Sequence, residues 1–494
     1  MAAIEAAHLG KKVILLEPSA HIGGMPASGL GTSDVGNIKA IGGLAKTFFK
    51  TVAAIYGKVD SQNGTYYEPH IALQAFEQML CAQPNVQLVT NAAISSISMT
   101  GTIIQSMVAS NGVTYSAKEF IDSSYEGDLL AAAGVSFTVG RESIAQYNEP
   151  LNGVIKTTPM NGAKVDPYVI PGNSSSGLLP HIESITLPPP GSADNSVQGY
   201  NYRLCLSKDP NNQIAFTAPD NYDPAEFEAL ARMSEALVKA KHTPAFNTLL
   251  SIAPLPNGKY DANNGADFST DEIGEGLLYP NGTPAQRQAI AAEHKRYMQA
   301  LLYFLQTSTR LPAAVNAGAA EFGYCKDEFT DTAGFPHQLY VREGRRMLGT
   351  FVMTQQVIYN KSGPDSIGLG SYNFDSHINN RVAVKGDAEI EGLTNTPNSG
   401  TKFEVGNPYP IAYGSLTPSS SEATNLLVSV CVSASHVAFS SLRMEPTYMI
   451  MGQSAGAAAS LAIDEAATTQ NISYPALSAQ LLKDGQILSW SSGS

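Results

Sequence analysis

One stretch constrains this chain more than any other: residues 11–24, KKVILLEPSAHIGG. Val13, Ile14, Leu15 and Leu16 form an apolar run that Glu17 and Pro18 end. Such a run, partly β-branched and without polar alternation, suits a strand buried on both faces of a parallel sheet. An alanine-rich segment, residues 2–9, precedes it, with Gly10 placed as a helix C-cap glycine would be. Helix, short turn, buried strand and terminal carboxylate make up the second half of a dinucleotide-binding βαβ unit. In that unit the terminal acid, here Glu17, accepts hydrogen bonds from a ribose. The first strand and the glycine-rich loop of the unit do not occur before this helix.

A chain of 494 residues exceeds what one core supports, so at least two lobes are expected. Its 43% hydrophobic and 15% charged residues fit a compact enzyme better than a disordered scaffold. The net charge of −13 argues against nucleic acid as a partner, which needs a basic footprint. The four cysteines, Cys81, Cys205, Cys325 and Cys431, form no CxxC. Neither cysteine metal-ligand spacing nor a redox dithiol is present, and buried thiols are expected. No metal is expected. The longest apolar segment, residues 448–463, contains Gln453 and two glycines and falls short of the ~18 residues that span a bilayer. A soluble chain is expected, with the cytoplasm favoured. Secretion stays open, because a chain beginning inside a helix does not report on a leader. Five Asn-x-Ser/Thr sites, at Asn63, Asn173, Asn281, Asn360 and Asn471, are about what chance yields in so Asn- and Ser-rich a sequence.

Residues 25–36 form a loop whose Gly29, Gly31 and Gly36 let backbone approach a flat, bulky ligand. Helices are expected over 41–56 and 70–82, then a meander of antiparallel strands from 86 to 121, broken by Asn-Gly and Thr-Gly turns. Residues 142–200, rich in Pro, Gly, Ser and Asn, read as loop. Asp223-Pro224 and the capping box Thr283-Pro284-Ala285-Gln286 open two helices of a second lobe. Residues 426–432, LLVSVCV, read as another buried strand, followed by a helix over 446–462. Gly452, Ser454, Ala455, Gly456, Ala457 and Ala458 give that helix a small face, suited to close packing or to the approach of a ligand.

Several motifs recur in one order across nearly the whole chain: LLEPSAHIGGM at 15–25, IDSSYEGDLLAAAGV at 121–135, GYNYRLCLSKDPNNQ at 199–213 and LYVREGRRMLG at 339–349. SASHVAFSSLRMEP and MGQSAGAAASLA follow over 433–462. Together they resemble the FAD-dependent oxidoreductases of the glutathione-reductase-like superfamily. The resemblance implies an α/β fold: a three-layer Rossmann-like FAD-binding domain with a parallel sheet and an antiparallel meander, and an inserted α+β substrate lobe. The FAD domain would be discontinuous, residues 1–140 plus 405–494, with the substrate-facing lobe at 141–404. Carried over, Glu17 would hold the adenosine ribose, beside Pro18. Gly23, Gly24 and Met25 would line the ribityl and pyrophosphate side, and Asp122, Glu126 and Asp128 would shape the site. Gly452, Gln453 and Ser454 would sit where the last helix points at the flavin. The departure is at the front, where the family opens with a strand and a glycine-rich turn. The expectation is a truncation of roughly 20 residues from a longer protein. Loss of a central strand would remove on the order of 10 kcal/mol of burial and weaken FAD binding.

A flavin oxidoreductase must orient a small organic substrate and move protons. Arg342, Arg345 and Arg346 flank Glu343, as surface ion pairs or as a fork for an anionic or oxygen-rich group. Asp375-Ser376-His377 can orient an imidazole for base catalysis, and His436 follows the second buried strand, where site residues gather. His436, His377, Arg342 and Arg346 are the catalytic candidates, with Tyr200 and Arg203 behind them. His8, His242 and His294 are expected on polar helix faces. With no second glycine fingerprint for a nicotinamide, the electron acceptor stays open. The alternative reading is a non-catalytic family member, or a truncated product with impaired FAD binding.

Overall fold

Residues 13–16 form the strand their apolar run demands, and that strand sets where the rest of the N-terminal region goes. The computed structural model describes residues 1–58, 64–392 and 403–491. Asn63 lies outside the described residues. Helix α1 (Ala2–His8) ends at Leu9, and Gly10 takes φ +79°, the left-handed turn that leads into β1 (Val13–Leu16). Helices α2 (Gly43–Ile55) and α3 (Pro69–Cys81) follow, and β2 (Val86–Val89) returns to pair parallel with β1, Val13 opposite Val86. Burial on both faces was expected of β1, but one face is open, with Ile14 45% exposed.

The expected antiparallel meander holds only for its middle strands, β3 (Ile94–Thr100), β4 (Ile103–Ala109) and β5 (Thr114–Ser116). The flanking runs leave it. β2 joins β1, and β6 (Phe120–Asp122) pairs parallel with Leu426–Val428, a strand about 300 residues later that is fully buried. Tertiary pairing overrides sequence adjacency here because both runs are apolar enough to be drawn into a covered sheet. Helix α4 (Asp128–Ala132) follows β6.

The middle of the chain builds a five-stranded antiparallel sheet from β7 (Leu204–Ser207), β8 (Gln213–Ile214), β9 (Leu250–Pro254), β10 (Lys259–Asn264) and β11 (Gly323–Cys325), in the order β8-β11-β7-β10-β9. Helices α5 (Glu228–Lys239) and α6 (Pro284–Thr307) pack on it. α6 starts where its capping box predicts: Thr283 Oγ1 accepts from Gln286 N, and Gln286 Oε1 accepts from Thr283 N at 2.9 Å. His294 corrects an expectation. It is fully buried on α6, with Nδ1 2.8 Å from Ile290 O, and burial lowers its pKa to about 4.

The C-terminal part supplies β12 (Leu426–Val428), α7 (His436–Leu442) and α8 (Glu445–Glu465). Of the two largest cores among the described residues, one gathers α1, α2, α3, α8 and residues between 353 and 481, and the other lies within 160–341 together with Ile378, Ala388 and Ile390; a smaller third holds Phe120, Leu129, Leu130, Leu426 and Val428.

The expectation of buried thiols holds for Cys431 alone: Cys81 is exposed, and the other two cysteines are joined. Cys205 of β7 and Cys325 of β11 form a disulfide between neighbouring strands, 120 residues apart in sequence. Both sulfur residues are fully buried. Sequence spacing gave no hint because the pairing depends on the sheet register. Cross-linking a loop of this length restricts the unfolded chain by up to ~5 kcal/mol in the chain-entropy treatment. Replacing both cysteines by serine is therefore expected to lower unfolding stability by about 2–5 kcal/mol. Urea denaturation checks this; an unchanged midpoint would show the bridge to be energetically idle.

Candidate functional site

The carboxyl ends of the two parallel ladders face one cavity of about 420 Å³, lined by Glu17, Ser123, Ser124, Ser429 and Val430 just beyond the strands. Ligands of α/β folds bind at this edge of the sheet. The first turn of α8, with Glu445, Tyr448 and Met449, closes one side, and Ala2, Ala3 and Ile4 of α1 lie beside it. Gly23 (φ +104°) and Gly24 (φ +58°) bring bare backbone to the cavity. A Cβ on Gly23 would come within 2.7 Å of Ala27 Cβ and 2.9 Å of the Phe76 ring, so only glycine fits.

The expected cofactor residues divide into two groups. Glu17, Pro18, Gly23, Gly24, Glu126 and Gly452 line the cavity. The Glu17 carboxylate accepts from Ser19 N and Ser19 Oγ, each at 2.8 Å, which fixes the turn beyond β1. Met25, Asp122, Asp128, Gln453 and Ser454 stand behind it. Asp122 accepts from Ser124 N (3.0 Å) and Leu130 N (2.9 Å), tying β6 to α4. Asp128 is held by Arg287 and Arg345, each at 2.8 Å. Burial pulls its pKa up, but the two guanidiniums outweigh that and lower it. Gln453 Oε1 accepts from Leu44 N at 2.8 Å, and Ser454 Oγ donates to Ile367 O at 2.9 Å. Both anchor α8 in the protein.

Glu445, the first residue of α8, was not singled out from the sequence. It is 2% exposed and lines the cavity, and neither carboxylate oxygen has a hydrogen-bond partner. Burial, reinforced by Asp34, raises its pKa to about 7, against the opposing pull of Arg203 and Arg443.

Asp34 and Arg203 belong to a second, polar cavity of about 390 Å³, which Asp261, Tyr372, Asp375 and His377 also line. Arg203 is paired with Asp261, Nε to Oδ1 at 3.1 Å. Arg443 donates to Tyr340 Oη (2.9 Å), Asp375 O (2.9 Å) and Asp375 Oδ2 (3.0 Å). His377 sits between two acids, Nδ1 3.0 Å from Asp271 Oδ2 and Nε2 3.6 Å from Asp375 Oδ2. Burial alone would raise the pKa of Asp375, but His377 and Arg443 hold it well below the carboxylate range.

Of the four catalytic candidates, His377 opens on this second cavity. Arg342 lies one layer behind, its Nη2 2.9 Å from Asp271 Oδ1. His436 and Arg346 line neither cavity. They belong to a buried network in which His436 Nδ1 meets Glu343 Oε2 at 2.8 Å, and Arg346 pairs with Glu343 and, at 2.6 Å, with Glu142. The His-carboxylate groups that sequence spacing missed are His21, Asp331 and His337 at the cavity rim, and Glu68, His70 and Glu328. In the second, Lys259 Nζ already occupies the carboxylates, 2.7 Å from Glu68 and 2.8 Å from Glu328. In the first, the two imidazoles stack 3.6 Å apart and nearly parallel, and both Nε2 atoms lie against Asp331, at 3.2 and 2.7 Å.

The family described as FAD dependent oxidoreductase matches residues 1–481. No curated protein matches the chain. Among solved structures, a variant of the E. coli quinol fumarate reductase FrdA is 11% identical, with 98% of this chain and 72% of that one covered, at a TM-score of 0.28. Aquifex aeolicus GidA is 10% identical over 56% of this chain and 49% of its own, at a TM-score of 0.23. The Diels-Alderase PyrE3 of pyrroindomycin biosynthesis is 10% identical over 65% and 69%, also at 0.23. Overlays this loose add nothing to the reading of individual residues.

The raised pKa of Glu445 has a consequence for stability. The folded state keeps the proton to about pH 7, whereas an unfolded glutamate releases it near 4.5. The associated stability is complete below pH 4.5, declines as pH rises towards 7 and is lost above it. Glu445→Gln, which is neutral throughout, is expected to match the parent at pH 4.5. At pH 8 it should exceed the parent by on the order of 3 kcal/mol. Urea titrations across that range without added cofactor provide the check, and parallel pH profiles for the two proteins would refute the assignment.

Proposed function

This chain belongs to the FAD dependent oxidoreductase family, and from that premise we propose that it oxidises or reduces a small polar organic substrate seated in the chamber of Asp375 and His377. FAD is the cofactor, and when bound it supplies the site where a hydride is taken up or released. The residues of the first cavity suit it. Gly23 and Gly24 offer backbone without side chains, Glu17 stands at a strand end where a ribose hydroxyl is met in dinucleotide sites, and Glu445 presents two unpartnered oxygens.

The observation that carries this reading is the position of His377 between Asp271 and Asp375 in the wall of the second cavity. With its Nδ1–H donated to Asp271, the imidazole keeps a lone pair at Nε2. In an oxidation, Nε2 takes the proton from the substrate hydroxyl or amine as the carbon loses hydride, and Asp375 stabilises the imidazolium. In a reduction the same atom returns the proton. Arg342 holds Asp271, and Arg443 keeps Asp375 ionised, so both arginines act as positioning residues. His436 and Arg346 contribute by holding Glu343 and Glu142 rather than by meeting substrate. The inserted middle lobe, about residues 141–404, supplies most of the substrate chamber in this scheme.

Among the described residues no helix is long and apolar enough to cross a membrane. Anaerobic mixing of the FAD-loaded protein with a panel of alcohols and amines is expected to bleach the flavin absorbance with at least one of them. His377→Asn should then slow bleaching by roughly 10²–10⁴-fold while the FAD spectrum is retained. Bleaching at the parent rate in that variant would remove His377 from the mechanism.

A further inference from the structure

The Cys205–Cys325 bridge has properties that bear on where this protein matures. Cys205 stands in β7 and Cys325 in β11, strands paired with Gly323 opposite Ser207 and Tyr324 opposite Leu206. Continuing that register sets the two cysteines across from one another, with Cα atoms 5.5 Å apart. Both are fully buried, packed with Phe329, and neither lines the cofactor cavity or the polar chamber. A buried bridge away from both sites has no access to a reductant or to the redox chemistry of the protein, which is the placement of a permanent structural bond. Permanent disulfides form and persist in oxidising compartments and are rare where glutathione and thioredoxin keep thiols reduced.

The Asn-x-Ser/Thr sites, though no more numerous than chance gives, are placed so that such a compartment could modify them. All four Asn-x-Ser/Thr asparagines among the described residues, Asn173, Asn281, Asn360 and Asn471, are exposed. Each lies at a turn or helix end, where the acceptor side chain is free of a regular ladder. Asn173 accepts from Ser175 N at 3.0 Å in a local turn, and Asn281 immediately precedes the Thr283 cap of α6. Asn360 ends the helix Gln355–Asn360, and Asn471 precedes the Ser473 cap of the helix Tyr474–Lys483. None of the four lines either cavity, so a bulky group on any of them leaves both sites open.

We infer that this chain matures in an oxidising, glycosylating compartment, where Cys205 and Cys325 are joined as a structural disulfide and Asn173, Asn281, Asn360 and Asn471 are acceptors for N-linked glycans. In the first reaction the two thiols lose two protons and two electrons to the disulfide of an oxidising protein, which leaves as a dithiol. In the second, Asn Nδ2 bonds to C1 of an oligosaccharide carried on a lipid pyrophosphate. The C1–O bond to phosphate breaks, the lipid pyrophosphate departs and Nδ2 gives up a proton.

The test is peptide mass spectrometry on the protein isolated from its native host. It is denatured and alkylated without reductant, and one half is treated with an N-glycosidase that converts a glycan-bearing Asn to Asp. The expected result is alkylation of Cys81 and Cys431 only, a cross-linked Cys205–Cys325 peptide pair, and conversion to Asp at one or more of the four asparagines. Alkylated Cys205 and Cys325 with all four asparagines bare would overturn the inference. The bridge with four bare asparagines would overturn its glycan half and retain oxidising maturation. As an internal control, Asn471→Gln is expected to remove one glycan mass from the intact protein wherever that site is occupied.

Discussion

The cavity at the carboxyl ends of the parallel strands depends on how closely α8 packs on α1. A Cβ on Gly456 would meet Ala2 O at 2.4 Å, and one on Gly452 would meet Met1 Cβ at 3.3 Å. Glycine at these positions sets the height of α8 over α1, and the residues between them complete the fixation. Gln453 reaches from α8 to Leu44 N at the start of α2 and donates to Glu5 of α1 at 3.1 Å, while Ser454 bonds Ile367 O. With the middle of the helix so held, its first turn has one place to go. Glu445, Tyr448 and Met449 are carried to the edge where β1, β6 and β12 end. The small face that reads equally as packing surface or ligand platform is chiefly packing surface, and it serves the ligand by aiming the helix end.

Many buried ions around this frame have an opposite at hydrogen-bond distance, while Glu5, Asp122, Glu149, Arg381 and Glu445 have none. Arg346 is shared by Glu142 and Glu343, Arg203 by Asp261, and Arg141 by Asp194 and Glu391. Such pairs contribute little net stability, because desolvation offsets their attraction, but removing one partner strands the other at a cost of ~3–5 kcal/mol. They therefore fix geometry. His436 falls into this class: its ring is bonded to Glu343 and its backbone N–H donates to Glu142 Oε2 at 2.9 Å, which clamps the start of α7 to the 140s segment. His377 differs in that its ring, held between Asp271 and Asp375, lines a cavity instead of the protein interior.

The local level of this architecture was legible in the sequence. The capping box at Thr283, the left-handed turn at Gly10 and the run Val13–Leu16 are short-range devices, and each forms where its residues predict. The cofactor class was legible as well, because its motifs fall at strand ends and helix starts that come together. Long-range pairing was not. Nothing local distinguishes β2 and β6, which leave the meander for parallel partners, from β3 to β5, which stay. Cys205 and Cys325 meet through a register fixed by three other strands. Burial of isolated polar residues was also hidden, since the helical spacing of His294 fits a polar face and only the packing of α6 on the sheet puts it inside. The cavity acids missed are Asp34 and Asp271, single acids in loops with no pattern around them, and Glu445, which stands within the SASHVAFSSLRMEP motif but whose burial the motif does not reveal.

Two buried acids on the cofactor cavity show how that environment discriminates between similar groups. Glu126 and Glu445 both line it, and burial raises the pKa of each. Glu126 is compensated: Tyr279 Oη donates to it at 3.0 Å, and Arg287 lies close enough to oppose the shift. Its charge is anchored to the middle lobe and serves to join the two parts of the chain. Glu445 has the field of Asp34 working against its ionisation and no donor to share the charge. An uncompensated buried carboxyl costs a folded protein stability, and its neutral form can donate a hydrogen bond that no carboxylate can. It persists here between a cofactor cavity and a chamber whose other acids are paired. Among the described buried acids whose two carboxylate oxygens both lack a hydrogen-bond partner, Glu445 lines the cavity while Glu272 lines neither cavity.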